Sequence, residues 1–285
     1  MTKTSVARST GAEPVPEIDT NKNPDEMSFL EHLEALRWHI IRALSSVLVI
    51  GVTAFAFKSF IFDDLLLGPT KQTFITYRWF CDISDTICFY PEGLEIITRD
   101  ISEQFLSHIK VSIWLGIIVA FPYIFYEFWK FVKPGLYSTE QKAAKGVVFI
   151  SSTLFLSGIL FGYFVIAPFA VTFLSSYSVS PDILNTTTLT SLVNSMTMFT
   201  IPTGIIFELP IVIYFLAKVG LVTSATMKQY RKHAVVIILI LSAIITPPDV
   251  ITQFLIGLPL YLLFEAGIVI AKRVEKNQAK ENGGN

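Results

Sequence analysis

The stretch whose reading decides the fold is Trp129-Lys-Phe-Val-Lys-Pro-Gly-Leu-Tyr-Ser-Thr-Glu-Gln-Lys-Ala-Ala-Lys145. Apolar runs flank it, Val111 to Phe128 before and Gly146 to Leu174 after. Each approaches or exceeds the roughly 20 residues that a membrane-crossing helix needs. Pro134-Gly135 imposes a turn, because proline fixes φ and glycine accepts positive φ. Ser138, with Gln141 three residues on, reads as a capping box that opens the next helix. The segment is a short polar connection between two membrane helices. Lys130, Lys133, Lys142 and Lys145, against the single acid Glu140, place it on the cytoplasmic side.

The same signature recurs along the chain. The loop 218–233 carries Lys218, Lys228, Arg231 and Lys232, and the end of the chain carries Lys272, Arg273, Lys276 and Lys280. The intervening connections, 175–190 and 246–250, hold no Lys or Arg. The positive-inside rule therefore puts both termini in the cytoplasm and predicts six segments, near 40–57, 111–128, 146–174, 192–216, 234–245 and 251–271. Pro202 and Pro210 predict a kink in the fourth. The fifth has twelve residues, roughly 18 Å of helix against about 30 Å of hydrocarbon. Thr246-Pro-Pro-Asp249 separates it from the sixth, so the last two form a short hairpin. Its charge pattern suits both a full crossing and a dip into the bilayer.

Composition agrees. The chain is 52% hydrophobic and 16% charged, with mean hydropathy +0.57, whereas soluble domains carry about 25% charged residues. A net charge of −1 gives no reason to expect nucleic-acid binding. Residues 1–27 are polar and acidic, without an apolar signal-peptide core, and read as a disordered cytoplasmic tail. The membrane domain spans 28–273, and 274–285 reads as a second cytoplasmic tail. The long polar segment 58–107 predicts a small structured cap on the outward side. It holds both cysteines, Cys81 and Cys88. An oxidising compartment favours a disulfide; the apolar neighbours Phe80, Ile87 and Phe89 suit two buried thiols.

Glu208 lies inside the fourth span, about 5 Å from its middle, and such a group is a functional candidate by default. Thr200, Gly204 and Glu208 are four apart and share one helix face, with Thr197 beside them. The plain alternative is a Glu hydrogen-bonded to a neighbouring helix. Glu140, in a first helical turn, and Asp249, ahead of the sixth segment with Gln253 one turn on, both suit capping roles. Glu265 sits near the cytoplasmic end of the last span, within reach of the interface or a lysine. Gly158-xxx-Gly162 suits close helix contact, although the pattern is common in spans. No catalytic or metal-binding signature is present, so the chain is expected to be no enzyme and to need no cofactor. A proton-coupled secondary transporter or channel, with Glu208 as the ion site, is the competing class. The lack of an internal repeat weakens it.

Together the motifs resemble one family. They are Ser28-Phe-Leu-Glu-His-Leu-Glu-Ala-Leu-Arg37, Tyr126-x-x-Trp129-x-Phe131-x-x-Pro134-Gly-Leu-Tyr137-x-x-Glu140, Phe207-Glu-Leu-Pro210, Thr246-Pro-Pro-Asp249-x-x-x-Gln253 and Leu263-Phe-Glu265. In this order they are similar to the TatC family, the multi-span receptor of the twin-arginine protein translocase. The resemblance implies six spans, cytoplasmic termini and a glove-like concave shape in the inner (plasma) membrane. It implies export of folded proteins driven by the proton-motive force, with TatA/TatB-type single-span partners and homo-oligomers within the complex. It implies that Glu140, Glu34, Arg37 and Phe131 bind the signal peptide, since carboxylates read guanidinium pairs by bidentate hydrogen bonds. It implies that Glu208 with Thr200 and Gly204 faces a partner helix, and that a partner docks near Asp249 and Gln253. The chain departs at Ala35, where the family has a second acid after the one at Glu34. Adjacent helical residues point about 100° apart, so Glu34 does not simply replace it.

Overall fold

The computed structural model describes residues 29–91, 94–132, 144–180, 186–245 and 250–282. Helix α1 (Phe29–Ala56) lies along α3 (Glu103–Val132). Gly51 meets Gly116 and His39 meets Glu127, so the two run antiparallel. Gly116 makes the crossing possible: a Cβ there would lie 2.7 Å from the backbone oxygen of Val47.

The third crossing is composite. Helix α4 (Ala144–Phe161) passes through a π-helical stretch, Gly162–Ile166, into α5 (Ala167–Ser176). The wide turn absorbs Pro168, which cannot donate to the helix ladder. The fourth is α6 (Leu189–Phe207) and α7 (Leu209–Lys218), interrupted at Glu208. Pro202 sits inside α6 without ending it, and the interruption at Glu208 comes two residues before Pro210. The short α8 (Ser224–Gln229) leads into α9 (Arg231–Ile245) and α10 (Val250–Asn282).

Among the described residues, five helical segments are long and apolar enough to cross a membrane: Leu33–Ala56, Glu103–Val132, Gly146–Ser176, Leu189–Lys218 and Thr252–Lys280. Helix α9 has 15 residues, about 22 Å. It begins three residues earlier than the apolar run, because a helix can start in polar residues. For the same reason α10 continues past Lys272-Arg273 to Asn282. No Gly or Pro stands in that stretch, and leaving the hydrocarbon does not oblige a helix to end.

Leu44, Leu48 and Val52 form an exposed apolar stripe on α1, each more than 60% accessible. In water such a surface would be costly; in a bilayer it is solvated. The interior joins Ile166, Ala170, Val193, Phe199, Ile256 and Leu260 in one cluster, linking the third, fourth and last crossings.

The segment between α1 and α3 carries secondary structure of its own. It contains a π-helical stretch, Phe60–Leu66, then α2 (Ile75–Ile83) and a strand β1 (Glu95–Ile97). Strand β1 pairs in parallel with β2 (Thr186–Thr188), Glu95 opposite Thr186. Cys81 and Cys88 are joined in a disulfide. Tyr77, 1% exposed, donates to the backbone oxygen of Pro69 at 2.6 Å. Thr76 donates to the oxygen of Phe164 and Tyr163 to that of Leu65, locking the cap onto the third crossing.

Candidate functional site

The N-terminal end of α1 and the C-terminal end of α3 are the first candidate. Glu34 and Arg37 stand exposed on α1, and Phe131 is half-buried in the last turn of α3. The His39 ring meets Phe131, its centroid 6.1 Å away in an edge-on arrangement. His39 Nδ1 in turn lies 2.5 Å from Glu127 Oε2. Arg42 Nη1 approaches the same oxygen at 3.9 Å, and the Tyr123 hydroxyl lies beside the carboxylate. Glu127 is 3% exposed, so this is a buried acid held by partners from the facing helix. Trp129 anchors the end of α3 by packing on Phe215 of α7, ring centroids 5.0 Å apart. Lys130 Nζ lies 5.8 Å from the centre of the Tyr126 ring. Glu140, in the connection after α3, lies outside the described residues, as does Ser138.

The motifs in the sequence single out Glu34, Arg37 and Phe131 but pass over His39 and Glu127. Glu127 occupies one of the two unspecified places between Tyr126 and Trp129 in the motif. Its one trace in the sequence is an acid near the end of an otherwise apolar run, a place where an acid can also reach the interface unpaired.

The second candidate surrounds Glu208. Ser151 Oγ of α4 donates to Glu208 Oε2 at 2.7 Å. The other oxygen, Oε1, is buried without a hydrogen-bond partner among the described residues. Glu208 closes α6 at its interruption, and its Ser151 contact keeps it on the side that faces α4. Thr200 and Gly204 share that side with it, but the side meets α4 and its continuation within the chain. A Cβ on Gly204 would lie 2.8 Å from Ile159 Cδ1 and 3.0 Å from Phe155, so this glycine faces α4 inside the chain. Thr200 is buried, donates to the oxygen of Met196 at 2.8 Å, and lines a mostly apolar cavity of about 300 Å³ with Trp114, Ile159 and Tyr163. Of the three, Glu208 is the least buried.

The third candidate is the hairpin of α9 and α10. Gln253 Nε2 donates to the oxygen of Leu239 at 3.1 Å, tying the two helices together. Asp249 lies outside the described residues. Glu265 meets an arginine rather than the interface or a lysine: Arg231 Nη2 donates to it at 2.7 Å and Tyr261 at 3.0 Å. Glu275 caps α8 by accepting from the backbone and side chain of Ser224.

Comparison with known proteins places these features. The family described as Sec-independent protein translocase protein (TatC) matches residues 31–259. A Sec-independent protein translocase protein TatC of Blattabacterium sp. subsp. Periplaneta americana is 37% identical over 261 residues, covering 89% of this chain and 98% of that protein. One from Helicobacter pylori strain J99 is 35% identical over 261 residues, covering 88% and 95%. A crystal structure of the twin arginine translocase receptor TatC superposes with a TM-score of 0.67 at 32% identity, covering 86% of this chain and 99% of that one. These matches do not favour the transporter or channel reading. Nearly full-length similarity, several membrane-length helices and the ordered motifs agree that the chain belongs to the TatC family of Sec-independent protein translocase proteins and acts as a multi-pass membrane subunit of the twin-arginine translocase.

Proposed function

We propose that the chain is the receptor of the translocase, reading twin-arginine signal peptides where the inward ends of α1 and α3 meet. The observation that carries this is the contact of Phe131 with the His39 ring where the two helix ends meet, with Glu34 and Arg37 exposed on the same end of α1 and Glu140 following α3 in the sequence. Guanidinium groups match carboxylates bidentately, and lysine ammonium groups do not. Glu140 is the principal reader, with Glu34 one position away from where the family's second acid stands; Arg37 and Phe131 shape the site.

The wider reading follows. Both termini face the cytoplasm, supported by the Lys and Arg distribution. Helix α9 crosses a locally thinned bilayer as the fifth of six spans, giving a glove-like concave body in the inner membrane. Single-span TatA/TatB-type partners dock at Glu208 and near Asp249 and Gln253, several copies of the chain assemble in the complex, and the proton-motive force drives export of folded proteins.

The test is binding of a labelled Arg-Arg signal peptide to the purified chain, with a Lys-Lys peptide as control. Tight binding confined to the Arg-Arg peptide is expected, and Glu140→Ala weakens it by about 1–3 kcal/mol. Equal binding of both peptides rules the receptor reading out; an unchanged affinity in Glu140→Ala removes Glu140 from the site.

A further inference from the structure

The receptor reading leaves the site one acid short, because Ala35 stands where a carboxylate is expected. On α1, Ala35, His39 and Arg42 are spaced by four and three residues and share one face. Glu127 of α3 lies against that face, 2.5 Å from His39 and 3.9 Å from Arg42. It stands about one helical turn, roughly 5 Å, from the level of Ala35. Four residues on from Glu127, on the same face of α3, Phe131 meets the His39 ring. One buried carboxylate thus borders the candidate site from the helix opposite the missing one.

We propose that Glu127 is the second carboxylate of the signal-peptide site, supplied by α3, and that His39 holds it until a peptide arginine takes its place. The inference rests on the receptor reading above. Access is shown by Arg42, whose side chain is half-exposed while its guanidinium reaches within 3.9 Å of Glu127. An arginine in the place of His39 would make two parallel hydrogen bonds where an imidazole nitrogen makes one. Among the described residues, the groups around the carboxylate are His39, Arg42, Tyr123 and the charge of Lys130. None of them is acidic, so an incoming arginine meets one carboxylate with no second negative charge beside it. The contrary reading makes His39–Glu127 a fixed clasp that only fastens α1 to α3.

Reader and clasp differ in the sign of one substitution. Binding of fluorescent Arg-Arg and Lys-Lys peptides is measured on purified full-length wild type, Glu127→Gln and His39→Ala. Glu127→Gln is expected to weaken Arg-Arg binding by about tenfold, towards the Lys-Lys level. His39→Ala is expected to tighten Arg-Arg binding several-fold, because it removes the internal competitor. An Arg-Arg preference that survives Glu127→Gln overturns the assignment, and so does a His39→Ala protein that binds more weakly. If Glu127→Gln does not fold, the His39→Ala affinity decides in the same two directions. A wild type that does not distinguish the peptides overturns the receptor reading, and this inference with it.

Discussion

Glu208 and Glu127 are both acids inside apolar helices, yet only the first was legible in the sequence. Glu208 sits near the middle of a span, where position alone marks it. Glu127 lies near a span end, where an exposed acid would need no explanation; only the packing of α1 buries it. Glu103 is a third case. It reads as one acid among many in the outward segment, but the structure buries it at the start of α3. There it accepts from the backbone N–H of Arg99 at 2.7 Å and of Thr190 at 2.8 Å, holding the start of α3 to that of α6. For Glu208, the Ser151 contact uses one oxygen, and the other is buried without a hydrogen bond among the described residues. Glu208→Ala is therefore expected to leave Arg-Arg peptide binding intact and to reduce the single-span partner that co-purifies with the chain. Unchanged co-purification would count against a partner contact there. Tyr77 gives a prediction in pH. Burial pushes its phenol up to about 12, whereas an unfolded tyrosine titrates near 10. The neutral phenol is the hydrogen-bond donor, so its contribution is intact below pH 10 and is lost as pH rises from 10 to 12. Apparent melting temperatures between pH 8 and 12 should fall less steeply above pH 10 in Tyr77→Phe. Identical slopes would show that Tyr77 does not contribute.

At the scale of elements, glycine decides which helices touch. A Cβ on Gly162 would lie 2.5 Å from the backbone oxygen of Phe199, and one on Gly158 would lie 2.8 Å from Gly204 Cα. The weak Gly-xxx-Gly signal is thus a real contact surface between the third and fourth crossings. Small residues let backbones approach where lipid removes the hydrophobic drive between helices. Gly162→Ala is expected to lower stability by about 1–3 kcal/mol, because backbone must move to admit the methyl group. A methyl group on Gly146 would meet no atom of the described residues within 4 Å, so Gly146→Ala should be neutral in the same melting experiment. Equal melting temperatures for the two variants would refute the close crossing. The proline-bearing elements were partly legible. Pro210 interrupts its crossing and Pro168 is taken up by a π-helical stretch, while Pro202 is accommodated inside α6. Whether a proline breaks, widens or merely sits in a helix depends on what its neighbours offer the freed carbonyl, and that is not local information. The strands β1 and β2 were invisible because three residues show no period, and their pairing joins positions about 90 residues apart.

For the whole molecule, orientation is the testable consequence of charge. Reporter fusions after Lys218 and after Asn282 should report the cytoplasm, and a fusion in the outward segment near Asp85 the opposite side. A cytoplasmic signal at Asp85 would overturn the N-in, C-in arrangement. The sequence by itself determined the membrane class, the approximate crossings, the expected orientation and the order of motifs that carries the family. These depend on hydrocarbon thickness and on the cost of moving charge across it, which act on each segment separately. Tertiary structure alone decided that Gly204 faces α4, that Glu103 joins two helix starts, and that Glu127 meets His39 across from Ala35. Those depend on which helix faces meet. In a bilayer that choice is made by small differences in close packing and in the satisfaction of buried polar groups, because apolar faces are solvated equally well by lipid and by one another.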